Sequence, residues 1–390
     1  MLRTQSADRE GLFFAGDSLR GGACAIVVLC HVYLGLAVRQ PQYEWNHAAL
    51  VYEVGAACIF SFFILSGYLV GGPFARRFVA GREMQPLRVY AEKRLRRVLP
   101  AFWVLLTVLI LWFGTLGATK GQLAATYLFQ QNFFPNAVSL SYMQQAWTLD
   151  IEVAFYVALP IMFWFAHRVW GGRGTPERRR TWLLIFLAST FVISFLLHQE
   201  HPAANSTTTT LLTFWWPVAP GIALAILEEP GRRWLAGTQR GRRLGLAAMA
   251  GGALLLLAVM IKQPEPTGIK TFAAELVAAS GILGGAMVWQ WATGRVPWPF
   301  GARWLHALGR WSLSIYLIHI GIGRELFDHL PDGLGQWGSF AFMGAGMLGG
   351  SIVVGGLMWW LVEEPILNKH RPRWPPRATR TREEPAATLP

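Results

Sequence analysis

Ten long apolar stretches, at about residues 18–38, 50–72, 97–118, 147–167, 182–198, 211–228, 244–262, 271–292, 305–322 and 337–362, set the terms on which this chain can fold. About 20 apolar residues coiled into a helix cross the hydrocarbon core of a bilayer. No water reaches the backbone there, so only helices or a closed barrel satisfy every N–H and C=O. Stretches of this length read as helices. Hydrophobic residues make up 53% of the sequence and charged ones 15%, too apolar a balance for a soluble domain of 390 residues. The predicted fold is all-α: a polytopic integral membrane protein of about ten transmembrane helices.

The net charge of +13 does not point to nucleic acid, because the basic residues sit in short connections between the apolar stretches. Lys and Arg crowd 73–96, 168–181, 229–243 and the tail after 362. By contrast, 39–49 holds Arg39 alone, 119–146 holds Lys120 alone, and 199–210 holds neither type. The positive-inside rule then predicts cytoplasmic termini and a multi-pass protein of the cell membrane. Three regions follow: a cytoplasmic segment 1–17, a transmembrane domain 18–364 and a tail 365–390. The tail is basic and proline-rich and is expected to be disordered. The segment before the first stretch lacks the pattern of a removable signal peptide. Cys24, Cys30 and Cys58 lie in apolar stretches without metal-ligand spacing, so they read as small buried residues and no metal site is expected.

Several polar groups stand where lipid should forbid them. Arg20 and His31 share the first stretch. Charged and titratable groups in a span are costly and mark a partner or a task. Eleven residues of helix turn through about 1100° and rise about 16 Å, so the two share a face, the arginine near one surface and the histidine well inside. Such a pair suits a site that draws in an anionic molecule and reacts with its far end. Arg94 and Arg97 also share a face. They read either as positive-inside anchors or as a phosphate clamp, which needs adjacent guanidinium forks. Glu152 and Tyr156, four apart, can touch, whereas Asp150 points elsewhere, toward the interface. Ser312, Tyr316 and His319 fall at relative angles of about 0°, 40° and −20° on a helix. That stripe could line a channel or bond to neighbouring helices. Glu363-Glu364-Pro365 reads as a plain helix stop.

Taken in order, these segments resemble a family. Ser18-Leu19-Arg20-Gly21 with His31 resembles the first-helix signature of the membrane acyltransferase-3 family. Ser61-Phe62-Phe63-Ile64-Leu65-Ser66-Gly67-Tyr68-Leu69 resembles its phenylalanine-rich second-helix motif. Arg94-x-x-Arg97-x-x-Pro100, Trp147-x-Leu149-x-x-Glu152-x-x-Phe155-Tyr156 and Ser314-Ile315-Tyr316-Leu317-x-His319 match in turn. The departures are Val153, where the family often has a second acidic residue, and Leu313, where it often has tyrosine.

The resemblance implies transfer of an acyl group, commonly acetyl from acetyl-CoA, to a hydroxyl of an envelope or exported carbohydrate. Acyl-CoA would be a donor substrate and not a resident cofactor, its phosphates met by Arg20, Arg94 and Arg97. His31 would act as general base or transient acyl carrier, and Glu152 would orient it or hold the acceptor. Tyr156, Ser312, Tyr316 and His319 would shape the reaction chamber or the acceptor path. The rival class is a glycan or lipid transporter or flippase, which would use the same intramembrane Arg and His. The missing internal repeat weighs against one built from duplicated halves.

Overall fold

A computed structural model describes residues 15–133, 142–170, 173–200, 210–262 and 269–368, and these contain helices and no strands. Most of the predicted tail lies outside the described residues, as does most of the predicted N-terminal segment; residues 365–368, expected in the disordered tail, are helical instead. In chain order the long helices are α1 (Gly16–Arg39), α2 (Ala48–Ser66), α3 (Gly72–Ala80), α4 (Leu87–Phe113), a short α5 (Lys120–Tyr127), α6 (Trp147–Trp170), α7 (Pro176–Glu200), α8 (Ala219–Leu235), α9 (Gln239–Lys262), α10 (Ile269–Thr293), α11 (Arg303–Asp328) and α12 (Gly335–Met358), followed by a short α13 (Glu364–Asn368). The protein is an all-helical, multi-pass membrane protein.

Among the described residues, eight segments are long and apolar enough to cross a bilayer, counting Leu50–Ala80 and Gly335–Asn368 as continuous rods. The predicted stretches 211–228 and 305–322 have no counterpart among them. Residues 211–218 form turns, and α8 is helical only from Ala219, for 17 residues. α11 is long, at 26 residues, but carries His306, Arg310, Arg324 and Glu325 along its length. Both are helices nonetheless. Their polar groups face the protein interior or its ends, where packing replaces lipid.

Two of the rods contain a π-helical turn, in which one extra residue widens the coil. The Gly72 N–H reaches back to the Gly67 carbonyl, and the Glu364 N–H reaches back to that of Trp359. Such turns are frequent at functional sites because they re-aim the side chains around them. Here both turns flank the site described below.

α1 packs along α11 and α2, α11 against α12, and α9 along α10. Backbone touches backbone at the first of these contacts. A Cβ on Gly309 would stand 1.8 Å from the Asp17 carbonyl oxygen, and one on Gly21 would stand 2.5 Å from that of Leu305. Only glycine permits that approach, as at other small-residue helix contacts in membranes. Three apolar clusters fill the interior. One centres on Phe63, Tyr68, Phe155 and Trp216; a second on Phe102, Leu105, Tyr142 and Leu317; a third on Val28, Leu36, Ile315 and Met347. The second draws in the connection between α4 and α6, where Tyr142, Met143 and Ala146 are fully buried. That connection, charge-poor in sequence, folds into the body of the protein.

Candidate active site

A cavity of about 340 Å³ lies where the three clusters meet. α1 contributes Arg20; α2 contributes Ile59, Phe62, Phe63 and Ser66; α4 contributes Arg94 and Arg97. α6 adds Thr148, Glu152 and Tyr156, α11 adds Ser312 and Tyr316, and the first π-helical turn adds Leu69 and Val70. Seven of the residues singled out in sequence therefore share one chamber. A second cavity of about 790 Å³, almost wholly apolar, lies between α4 and α6. Arg94, Val98 and Tyr156 line both and separate them.

The three arginines of the chamber differ in their partners. Arg97 Nη1 donates to Glu363 Oε2 at 3.0 Å, and its Nη2 donates to the Arg310 carbonyl at 3.4 Å. Glu363, only 1% exposed, also accepts from Ser314 Oγ at 2.8 Å. The plain helix stop read at this position is thus corrected. Glu363 is a buried carboxylate presented by the second π-helical turn, and it pairs with a half-buried guanidinium. Arg20 and Arg94 have no carboxylate within 4.0 Å among the described residues. Arg94 lies 5.9 Å from the centroid of the Tyr156 ring.

The carboxylates of α6 have distinct settings. Tyr156 Oη donates to Glu152 Oε1 at 2.5 Å and Ser66 Oγ donates to the same atom at 3.2 Å. Two hydroxyls thus fix the carboxylate at the chamber wall. Asp150, expected at the interface, is instead buried and 3% exposed; its Oδ2 accepts from the Asn132 N–H at 3.0 Å. It ties the folded-in connection to the start of α6.

His31 and His319 are not among the residues lining the chamber. They face each other, with ring centroids 4.9 Å apart and an interplanar angle of 64°. Tyr316 links them to the chamber, since it lines the cavity and its ring lies 5.6 Å from that of His319. Its hydroxyl donates to the Gln145 carbonyl at 3.1 Å and accepts from Thr148 Oγ1 at 3.2 Å.

The hydrogen bonds assign the tautomers. His319 Nδ1 lies 2.6 Å from the Tyr316 carbonyl oxygen, which can only accept, so Nδ1 carries the proton and Nε2 the lone pair of a neutral ring. His31 Nδ1 lies 2.9 Å from the Val27 carbonyl and 3.4 Å from His319 Nε2, two acceptors. It is therefore the donor, and His31 Nε2 keeps a lone pair free to take a proton. The Val27 carbonyl and His319 orient this ring; Glu152, one candidate for that task, binds Ser66 and Tyr156 instead.

The family of acyltransferase domains matches residues 15–356, nearly the whole of this helical body. The chain belongs to the acyltransferase-3 family. It is a membrane acyltransferase, and the match spans every residue lining the chamber and both histidines, while Glu363 lies beyond it. No match was found among curated proteins or among solved structures. Sequence reasoning about this acyltransferase missed Glu363, Gln145 and Thr148. For Glu363 a signal was present, an acidic residue directly after an apolar stretch, but acidic residues there also simply end helices.

Proposed function

We propose that this acyltransferase moves an acyl group, acetyl in the simplest case, from cytoplasmic acyl-CoA to a hydroxyl of a carbohydrate or another envelope or exported acceptor. One observation carries the reading. Two arginines, Arg20 and Arg94, line a chamber inside the helical body without a carboxylate partner among the described residues. Unpaired guanidinium groups in such a place call for an anionic ligand, and their forks match phosphate oxygens. With both termini cytoplasmic, the start of α1 and the lower part of α4 stand on the side from which acyl-CoA arrives.

The chemistry follows from the imidazole pair. An acceptor hydroxyl oxygen attacks the thioester carbonyl carbon while His31 Nε2 takes its proton. The carbon–sulfur bond breaks, the thiolate leaves, and the proton on His31 passes to sulfur to yield the free thiol. His319 keeps His31 Nδ1–H occupied and so holds Nε2 as the basic nitrogen. A transient acyl group on His31 satisfies the same geometry, with Nε2 as the nucleophile. Glu152 accepts a hydrogen bond from the incoming acceptor at the chamber wall.

The test is direct. Purified protein incubated with acetyl-CoA and a hydroxyl acceptor should release free thiol and add one acetyl mass to the acceptor. A protein that transports a glycan or lipid without releasing thiol would replace this reading with the flippase one.

A further inference from the structure

The chamber is small for its proposed ligand. At about 340 Å³ it stands near the lower end of ligand pockets, which run from about 300 to 1,000 Å³. An acyl-pantetheine arm would fill most of that space, with its pyrophosphate at Arg20 and Arg94. Resting on the acyl-CoA reading above, the remainder of the donor's nucleotide end would extend beyond the chamber, along its arginine-bearing rim.

The rim holds an arginine that the chamber does not use. Arg310 is solvent-exposed and lies two residues before Ser312, which lines the chamber. Its carbonyl accepts from Arg97 Nη2 at 3.4 Å, so the two arginines are immediate neighbours. Their guanidinium carbons approach the same indole: Arg97 Cζ lies 5.6 Å and Arg310 Cζ 5.7 Å from the centroid of Trp359. The aromatic ring attracts each cation and restrains it without consuming its N–H donors. Arg310 has no carboxylate within 4.0 Å among the described residues. The nearby rim carboxylate, Asp17, faces His306 Nδ1 at 3.6 Å.

We infer that Arg310, steadied by Trp359, is the subsite for the phosphorylated nucleotide end of the acyl donor, outside the chamber that takes the thioester arm. An anchor at the membrane surface would also be basic and exposed, but would not distinguish one donor from another. A nucleotide subsite would.

The experiment compares two donors with the same thioester, acetyl-CoA and acetyl-pantetheine, which lacks the nucleotide. Thiol release by the purified full-length protein gives a KM for each. In the parent, acetyl-CoA should have the lower KM, and 3′-phosphoadenosine 5′-diphosphate should compete with it. Arg310→Ala should reduce the ratio of the two KM values about tenfold, the scale of one charge-assisted hydrogen bond, and weaken the nucleotide inhibitor by the same factor. Arg310→Glu should reduce both further. Trp359→Leu, which frees the guanidinium but keeps it, should move the ratio in the same direction by less. If Arg310→Ala does not insert, Arg310→Lys decides, since it keeps the charge and loses the fork. A KM ratio and inhibitor potency unchanged in these variants would overturn the subsite while leaving the acyl-CoA reading intact. A parent that releases thiol from neither donor would overturn both.

Discussion

A single proton position decides how His31 can act. Two carbonyls and one ring nitrogen, contributed by Val27, Tyr316 and His319, place the proton of a neutral His31 ring on Nδ1 and its lone pair on Nε2. His31→Ala should therefore still insert and still bind CoA, yet transfer acyl groups about 10²–10⁴-fold more slowly, the usual loss for a positioned general base. Thiol release and equilibrium CoA binding measure the two effects separately. A larger loss, with an acyl group trapped on the parent protein by mass spectrometry in the absence of acceptor, would assign the covalent route. Near-normal transfer by His31→Ala would reduce this pair to a structural contact. The contrast with Glu363 is instructive at the same scale. That carboxylate pairs with Arg97, whereas Arg20 and Arg94 line the chamber with no carboxylate within 4.0 Å among the described residues.

Among the helices, the contact of α1 with α11 controls the site most directly, because it carries Arg20 and His31 on one side and Ser312, Tyr316 and His319 on the other. Gly21 and Gly309 set its spacing. Gly309→Ala places a methyl group against the Asp17 carbonyl and must push the helices apart. Overpacking of this kind costs about 1–3 kcal/mol. The expected result is a lowered Tm in detergent together with weakened CoA binding, because the same shift moves Arg20 away from Arg94 and Arg97. Thermal unfolding and CoA titration of one preparation check it. A variant with parental Tm and affinity would show that the contact relaxes without moving the chamber.

For the molecule as a whole, the asymmetry of charge between connections predicts the orientation of the helices and, under the proposed function, the direction of transfer. A reporter fused at Gly237 should be cytoplasmic, and reporters fused at Asn46 and Gly333 should be outside. Any one of them reversed would put the donor arginines and the imidazole pair on the wrong sides for transfer from an internal donor to an outward-facing acceptor. The folded-in connection between α4 and α6 bears on the same direction. Through Gln145 it closes over α11, its carbonyl accepting from the Tyr316 hydroxyl and its side-chain amide donating to the Leu317 carbonyl.

Much of this architecture is written locally. Apolar length specifies a helix in lipid because the backbone has no other way to satisfy itself, and helical periodicity puts Tyr156 over Glu152 at four residues' spacing. Neither effect needs knowledge of the rest of the chain. The boundaries of α8 and the character of α11 were less legible, because polar residues in a span are tolerated only by neighbours that the sequence does not name. The decisive pairings lie beyond any local period. Arg97 meets Glu363 across 266 residues, and His31 meets His319 across 288. A buried charge takes whichever partner packing brings within hydrogen-bond reach, so which arginines are paired with a carboxylate and which are not was decided by the tertiary structure alone.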